Sequence, residues 1–167
     1  MKIELSDYDP SWHGQFESEK KLIIKNFPVP NIHIEHIGST SVKDLKAKPV
    51  IDIMLGVLSL EKNFENIIEH LNALGYQYIE KYNLIIPERR YFYKASNEIH
   101  THHLHMVIKD SEFWKRHLFF RDHLRNNRSS KEKYESLKIE LAKKEWNDRN
   151  DYADAKGEFI RSIEQLR

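Results

Sequence analysis

Cysteine is absent from the 167 residues of this sequence, so disulfide bonds and thiolate-ligated metal are both excluded. Long apolar runs are also missing, because no stretch approaches the roughly 20 residues that a membrane-spanning helix needs. The first ten residues, MKIELSDYDP, lack the apolar core of a signal peptide. These absences predict a cytoplasmic protein that does not have the membrane as a partner.

The sequence also lacks an excess of charge of either sign. Lysine and arginine together number 27 and aspartate and glutamate 26, so no strong overall field favours nucleic acid, and we do not expect a nucleic-acid partner. We find no Gly/Ser linker and no internal repeat. We therefore expect a single domain over residues 1–167. The oligomeric state stays open.

The periodicity of the apolar residues predicts an α+β fold with a mixed sheet of about five strands. The expected strands are residues 32–37, 49–57, 76–82, 89–95 and 102–109. The expected helices are residues 11–26 and 60–74, a short one from Thr40 to Leu45, and three more at 113–126, 131–146 and 152–166. The fold thus divides into an α/β core, residues 1–109, and a helical C-terminal part, residues 110–167.

One carboxylate interrupts the apolar strand of residues 49–57. Asp52 lies in the segment VIDIMLGV, and burying a charge in such a strand is costly unless it has a partner. Gly38 and Ser39 end the preceding strand, and the hydroxyl of Thr40 can cap a short helix there. Such a turn can hold phosphate oxygens, or it can be an ordinary connection from strand to helix.

Glu35 and His36 flank this turn. Glu35 can supply a second carboxylate beside Asp52, or it can form an ion pair with Lys48 or with an arginine. His36 lies on the same side of its strand as Ile34 and is expected to be a hydrogen-bonded core histidine.

Histidines cluster in the segment THHLHMVIK, residues 101–109. His103 and His105 share one face of the expected strand, opposite Leu104. Two imidazoles at this spacing can bind a transition metal or transfer protons, or they can form structural hydrogen bonds. We interpret His105 as functional and His100 and His102 as turn residues.

Cationic residues mark the strand before the histidines. Arg90 and Lys94 share one face, and Arg89 lies on the other with two tyrosines that can stack on a base. An arginine suits phosphate recognition, although a run of this kind is commonly a solvated face. We take Arg90 as a phosphate-binding candidate, together with Lys48. Lysines of the C-terminal helices, Lys138 and Lys156 among them, are expected to be solvated, with one able to reach a phosphate.

Six segments along residues 8–160 together resemble the GrpB family. They occur in the order EHIGSTSV, KPVIDIMLGV, RRYFYK, HHLHMV, FFRDHLR and YESLKIELA. The resemblance implies a nucleotidyltransferase-like fold, related to the palm of DNA polymerase beta and to aminoglycoside nucleotidyltransferases. Some relatives are fused to dephospho-CoA kinase, which points to nucleotide or coenzyme metabolism.

The superfamily pattern is Gly-Ser, about a dozen residues, then Asp-x-Asp or Asp-x-Glu on a strand. Gly38-Ser39 and Asp52 match it, but Met54 stands where the second acid belongs. A thioether is a poor ligand for a hard cation such as Mg²⁺, which puts two-metal catalysis in doubt. If the protein nevertheless transfers nucleotides, Glu35 or His105 would have to replace the missing acid as a metal ligand.

Three hypotheses about function follow. The first is a nucleotidyltransferase that binds a nucleoside triphosphate at Gly38, Ser39, Thr40, Lys48 and Arg90, with Mg²⁺ or Mn²⁺ on Asp52 and with Glu35 and His105 as further catalytic groups. The second is a catalytically degenerate protein that binds a phosphorylated small molecule. The third is a metal-dependent hydrolase whose ligands are Asp52, His103 and His105, with Glu35 as an additional ligand.

Overall fold

A mixed five-stranded sheet forms the centre of the computed structural model, which describes residues 2–167. The strands are β1 (His33–Ile37), β2 (Ile51–Val57), β3 (Tyr76–Tyr78), β4 (Arg89–Ser96) and β5 (Ile99–Ile108), in the spatial order β1-β2-β5-β4-β3. The pair β2 and β5 is parallel, and the other neighbouring pairs are antiparallel. The predicted α+β class, the mixed sheet and the helical C-terminal part are confirmed.

Six α-helices accompany the sheet within the described residues 2–167. They are α1 (Ser11–Ile24), α2 (Phe64–Ala73), α3 (Glu112–Asn126), α4 (Arg128–Ala142), α5 (Arg149–Asp154) and α6 (Gly157–Glu164). Within residues 2–167, no helix combines the length and the apolar character that crossing a membrane requires.

Several predicted boundaries were wrong. The helix after the Gly38 turn is one 3-10 turn, Ser39–Ser41, and a left-handed Asp44 (φ 59°) prevents it from reaching Leu45. Strand β3 stops at Tyr78, where a second 3-10 helix, Glu80–Leu84, takes over. The last predicted helix is two short helices, α5 and α6, separated at Lys156.

The two faces of the sheet differ in what covers them. On one face, the apolar residues of alternate positions pack against α1 and α2 and form the main core, which includes Ile53, Leu55, Phe92, Leu104 and Met106. Each such side chain contributes about 1.5–3 kcal/mol when it is fully buried. This face therefore supplies most of the apolar stabilisation of the sheet.

The opposite face is covered in part by α3. Met54 packs there with Val107, Phe113 and Trp114, and Gly56 permits the close approach of α3, because a Cβ at this position would lie 2.7 Å from Cζ3 of Trp114. Farther along the same face, beyond this cluster, lies Asp52.

Two arginines of α3 fix the C-terminal helices beside β1 and the turn that follows it. Arg121 donates from Nη1 to Glu35 Oε2 at 2.6 Å and to the His36 carbonyl at 3.1 Å. Arg125 donates to the Ser41 carbonyl from Nε at 3.0 Å and from Nη2 at 2.8 Å. The helices thereby reach the Gly38 turn, which is the edge where the candidate site forms.

His36 is a core histidine, as its side of the strand indicates. Its ring stacks on Phe16 at 4.7 Å between centroids. Thr40 donates its hydroxyl proton to the Val50 carbonyl, so the hydroxyl oxygen accepts from His36 Nε2, 3.0 Å away. Burial is the main reason that the pKa of His36 falls to about 4.

We expect stability to decrease as the pH falls from 6.5 to about 4. In this interval His36 is protonated in the unfolded chain but stays neutral in the folded protein. His36 alone therefore lowers the free energy of unfolding by about 1.4 kcal/mol for each unit that the pH falls. His117 has a pKa lowered to about 4 for the same main reason and adds to the effect. His36→Phe preserves the stack on Phe16 and should flatten the acid limb in urea unfolding at several pH values.

The exposed His33 provides the control. His33→Asn should retain the acid limb of the unmodified protein. If His36→Phe and the unmodified protein lose stability equally between pH 6.5 and 4, burial of neutral His36 is not a source of the acid sensitivity.

Candidate functional site

The parallel pairing of β2 and β5 brings Asp52 and two histidines together. Asp52 lies opposite His103, and Met54 lies opposite His105, all on the face that α3 partly covers. Asp52 Oδ1 is 3.2 Å from His103 Nδ1 and 3.9 Å from His105 Nε2. The predicted neighbours Asp52, His103 and His105 therefore lie within contact range.

The Gly38 turn packs directly against Asp52. Gly38 has φ +70°, and a Cβ on it would lie 2.3 Å from Asp52 Oδ2. Only glycine combines this backbone conformation with so close an approach. The sequence predicted that Asp52 lies beside this turn, and the structure places it there.

The carboxylate of Asp52 is ionised. Its side chain is 28% exposed, and burial by itself would raise its pKa, but the hydrogen bond from His103 and the nearby His105 outweigh burial and lower the pKa well below the ordinary value. Because a carboxylate only accepts, Nδ1 of His103 carries a proton. The other nitrogen of this ring, Nε2, lies 2.9 Å from Nδ1 of His100.

His105 is held in its neutral form. Arg89 Nη1 lies 3.4 Å from His105 Nδ1, and because arginine only donates, the ring proton is on Nε2, the nitrogen that faces Asp52. Burial lowers the pKa of His105, the Arg89 charge lowers it further, and the interaction with Asp52 offsets only part of this.

The C-terminal helices close a cavity of about 260 Å³ over Asp52, which we call the lysine cavity. Its polar lining consists of the Gly38 turn, the carboxylate and histidines just described, and side chains from the C-terminal helices and the segment before β2: Ser39, Thr40, Lys48, Asp52, His103, His105, Tyr134, Lys138, Tyr152 and Lys156. The hydroxyl of Thr40 is already bonded to His36 and Val50.

Lys138 is an amine buried in the protein. Its residue is 2% exposed, and its Nζ donates to Ser39 Oγ at 3.0 Å and to the carbonyl of Lys46. Burial and, to a smaller extent, the charge of Lys156 lower the pKa of Lys138 to about 7. Lys156 lies 4.4 Å above the ring of Tyr152, and burial is the main reason that its pKa falls to about 8.

A second cavity of about 390 Å³ adjoins the first, and we call it the tyrosine cavity. The two share His103, His105 and Ala153, and the second is walled by Tyr82, Tyr91, Tyr93, His100 and Arg89, among others. The Nε of Arg89 is buried without a hydrogen-bond partner among residues 2–167.

Two predicted site residues lie elsewhere. Glu35 is on the same face as Asp52 but pairs with Arg121, which matches the alternative of an ion pair with an arginine, and it does not line either cavity. Arg90 faces the opposite side of the sheet, where it donates to the Pro87 carbonyl and lies over Phe64. The arginine that reaches the site is Arg89, since Tyr91, two positions on, is the partner of His105.

The described residues do not fit the metal site that the superfamily uses. Met54, at the position of the second acid, is fully buried among apolar side chains, and Glu35 is held by Arg121. Within residues 2–167, no group of three His, Asp or Glu side chains is arranged to hold a metal ion. Lys138 and Lys156 instead place amines in the cavity.

The sequence predicts only part of the role of the C-terminal helices in the site. It indicates solvated lysines, with one able to reach a phosphate, whereas the structure buries Lys138 and also brings Tyr134 and Tyr152 into the cavity lining. One signal was available: Tyr134 and Lys138 are four residues apart, which places them on one helix face, and that face also carries Leu141.

Comparisons with known proteins agree on one family. The model of the family described as GrpB protein matches residues 2–166. UPF0157 protein YqkA of Bacillus subtilis (strain 168) is 37% identical over 98% of this chain, which spans 47% of that relative. Glutamate-rich protein GrpB of Alkalihalophilus pseudofirmus is 34% identical over 97% of this chain and 94% of its own length.

A solved structure shows the same fold. The crystal structure of conserved protein GrpB from Enterococcus faecalis superposes with a TM-score of 0.83 at 34% identity, and it covers 98% of this chain and 96% of that one. The likeness therefore extends over both the sheet and the C-terminal helices.

Met54→Asp restores the Asp-x-Asp pattern in sequence but should unfold the protein and not create a metal site. The new carboxylate would be buried against Phe113 and Trp114, and we expect it to lower the free energy of unfolding by more than about 3 kcal/mol. The measurement is urea unfolding with and without Mn²⁺.

Met54→Leu is the matched control, because it keeps the apolar volume and should cost less than about 1.5 kcal/mol. A folded Met54→Asp variant that gains stability on addition of Mn²⁺ would show that position 54 still belongs to a metal site.

Proposed function

The chain belongs to the GrpB family, and on that premise we propose that it binds a phosphorylated small molecule, such as a nucleotide, in the lysine and tyrosine cavities. The observation that carries the proposal is the charge of the lysine cavity. Three lysines, Lys48, Lys138 and Lys156, line it with a single carboxylate, Asp52.

The positive charge supports an anionic ligand. The carboxylate of Asp52 carries one negative charge among three lysines in the described lining, so it neutralises them only in part. Lys48 and Lys156 both lie near the ring of Tyr152, at 6.0 and 4.4 Å from its centroid. Phosphate oxygens between these amines and the hydroxyl of Ser39 would receive charge-assisted hydrogen bonds.

The tyrosine cavity supports a planar group next to the phosphates. Tyr93 stacks on His100 at 4.2 Å, and Tyr82 and Tyr91 lie 5.4 Å apart. Aromatic walls of this kind bind a nucleobase by stacking, typically for about 1–3 kcal/mol. Arg89 lines the same cavity, and its guanidinium would supply a hydrogen bond to an acceptor on the ligand.

Binding, not nucleotidyl transfer, is the function that the lining favours. Transfer in this superfamily depends on paired carboxylates that hold metal ions, and position 54 lacks the second one. The lysines provide cationic charge without a metal. The proposal therefore corresponds to the second sequence hypothesis, a catalytically degenerate protein that binds a phosphorylated small molecule. It assigns no step to Mg²⁺ or Mn²⁺.

Calorimetric titration with ATP, ADP, pyrophosphate and adenosine, with and without Mg²⁺, tests the proposal. We expect the phosphorylated compounds to bind and Lys156→Gln to weaken each of them at least tenfold, since a charge-assisted contact is lost. Tyr93→Leu should weaken the nucleotides and leave pyrophosphate unchanged. Affinity should fall between pH 7 and 9, because Lys156 loses its proton there.

Lys133→Gln is the matched control, because Lys133 is an exposed lysine of α4 and should not affect any affinity. The proposal is wrong if none of the phosphorylated compounds binds. A strict requirement for Mg²⁺ would contradict the binding mode, because it would mean that a metal carries the phosphate contacts.

A further inference from the structure

The lysine cavity contains one pair of side chains that anion binding alone does not explain. Ser39 Oγ lies 3.0 Å from Lys138 Nζ, and Ser39 lines the cavity while Lys138 is 2% exposed. A phosphate-binding lysine usually presents its amine to the ligand. The amine of Lys138 is instead directed to a serine hydroxyl and to the carbonyl of Lys46.

We propose that Ser39 and Lys138 are a nucleophile and its general base, which cleave carboxylic esters that carry an anionic group through an acyl-serine intermediate. A serine becomes nucleophilic when an adjacent base accepts its proton. The proposal goes beyond ligand binding and does not require the ligand to be phosphorylated.

The surroundings of Lys138 favour the free amine. Burial lowers its pKa to about 7, so about half of the molecules carry the neutral amine at neutral pH. In that form one N–H still donates to the Lys46 carbonyl, which leaves the lone pair to accept the hydroxyl proton of Ser39. The face of the Tyr134 ring, 5.0 Å from Nζ, favours the protonated amine and offsets part of the effect of burial.

The reaction balances with water as the only co-reactant. Ser39 Oγ attacks the ester carbonyl carbon while its proton moves to Lys138 Nζ, and the alcohol leaves with that proton as the carbon–oxygen bond breaks. Water then attacks the acyl-serine, Lys138 takes a proton from it, and Ser39 recovers the proton as the acid is released. General base catalysis of this kind contributes typically about 10²- to 10⁴-fold.

The lysine cavity also indicates the substrate class. Lys48 and Lys156 line the same space as Ser39 and would attract a negatively charged group on the ester. Leu5, Val50 and Ala153 supply apolar lining, so a short acyl chain with a terminal anion suits this cavity.

A fluorophosphonate probe tests the pair without any knowledge of the natural ligand. Attack by Ser39 forms an oxygen–phosphorus bond and expels fluoride, and peptide mass spectrometry locates the adduct. We expect labelling of the unmodified protein at Ser39, and Lys138→Met should slow it about 100-fold or more. Mono-4-nitrophenyl succinate should be hydrolysed faster than 4-nitrophenyl acetate.

Ser41→Ala is the matched control, because the hydroxyl of Ser41 donates to the Gly38 carbonyl and not to a lysine. This variant should be labelled at Ser39 at the same rate as the unmodified protein. A folded protein that gains no adduct at Ser39 at pH 9 overturns the proposal. Equal labelling rates in the unmodified protein and in folded Lys138→Met overturn it as well.

The pH profile separates a base from a structural lysine. Labelling should rise between pH 6 and 8 as Lys138 loses its proton, and the rise should be absent in Lys138→Met. Lys156→Gln should move the midpoint to higher pH, since the charge of Lys156 lowers the pKa of Lys138. The other titratable groups around the cavity are Glu135, Lys48, Asp52, His103, His105, Tyr134 and Tyr152.

The labelling assay and the nucleotide titration fail independently. If Ser39 is labelled and ATP does not protect it, the nucleophile–base pair stands and the proposed location of the phosphate is wrong. If ATP binds and Ser39 is never labelled, the phosphate-binding proposal stands and the nucleophile–base pair is wrong.

Discussion

The contact between Asp52 and Gly38 is the constraint on which the candidate site depends. A carboxylate in the second strand of the sheet needs partners, and the parallel neighbour β5 supplies His103 at 3.2 Å. The first strand must then turn away immediately beside it, where a Cβ would lie 2.3 Å from Asp52 Oδ2. Glycine at position 38, with φ +70°, satisfies both conditions. One contact therefore links the backbone conformation of the turn to the position of the charged residue in the strand.

The C-terminal helices complete what the sheet begins. Arg121 and Arg125 bind carbonyl groups on either side of the Gly38 turn, so the position of α3 is tied to the turn that borders Asp52. Helix α4 follows α3 after one residue and carries Lys138 to Ser39. Burying an amine with a depressed pKa costs stability at neutral pH, and hydrogen bonds to Ser39 and Lys46 offset part of that cost.

The sequence sufficed for the elements and for part of the site. The pattern of apolar residues located all five strands, and the spacing from the Gly38-Ser39 turn to Asp52 predicted that the turn and the carboxylate lie side by side. The sequence did not show which of Arg89 and Arg90 reaches the site. The segment RRYFYK puts one arginine on each face of the strand, and a one-residue change of register exchanges the two faces. Lys138 was missed for a different reason: a lysine four residues from a tyrosine is ordinary on a helix, and only docking on the turn buries it.

The methionine at position 54 and the lysines of the cavity both distinguish this site from the two-metal site that the nucleotidyltransferase resemblance implies. In a two-metal site, carboxylates hold cations and the cations hold phosphate. Here position 54, where the second acid would stand, is Met54 in the apolar cluster under α3, and the lysine amines bring the positive charge to the cavity. Metal supply cannot control such charge, but pH can, because the pKa values of Lys138 and Lys156 are about 7 and 8. If the cavity binds anions and activates Ser39 as proposed, both its affinity for anions and the basicity available to Ser39 would change with pH near neutrality.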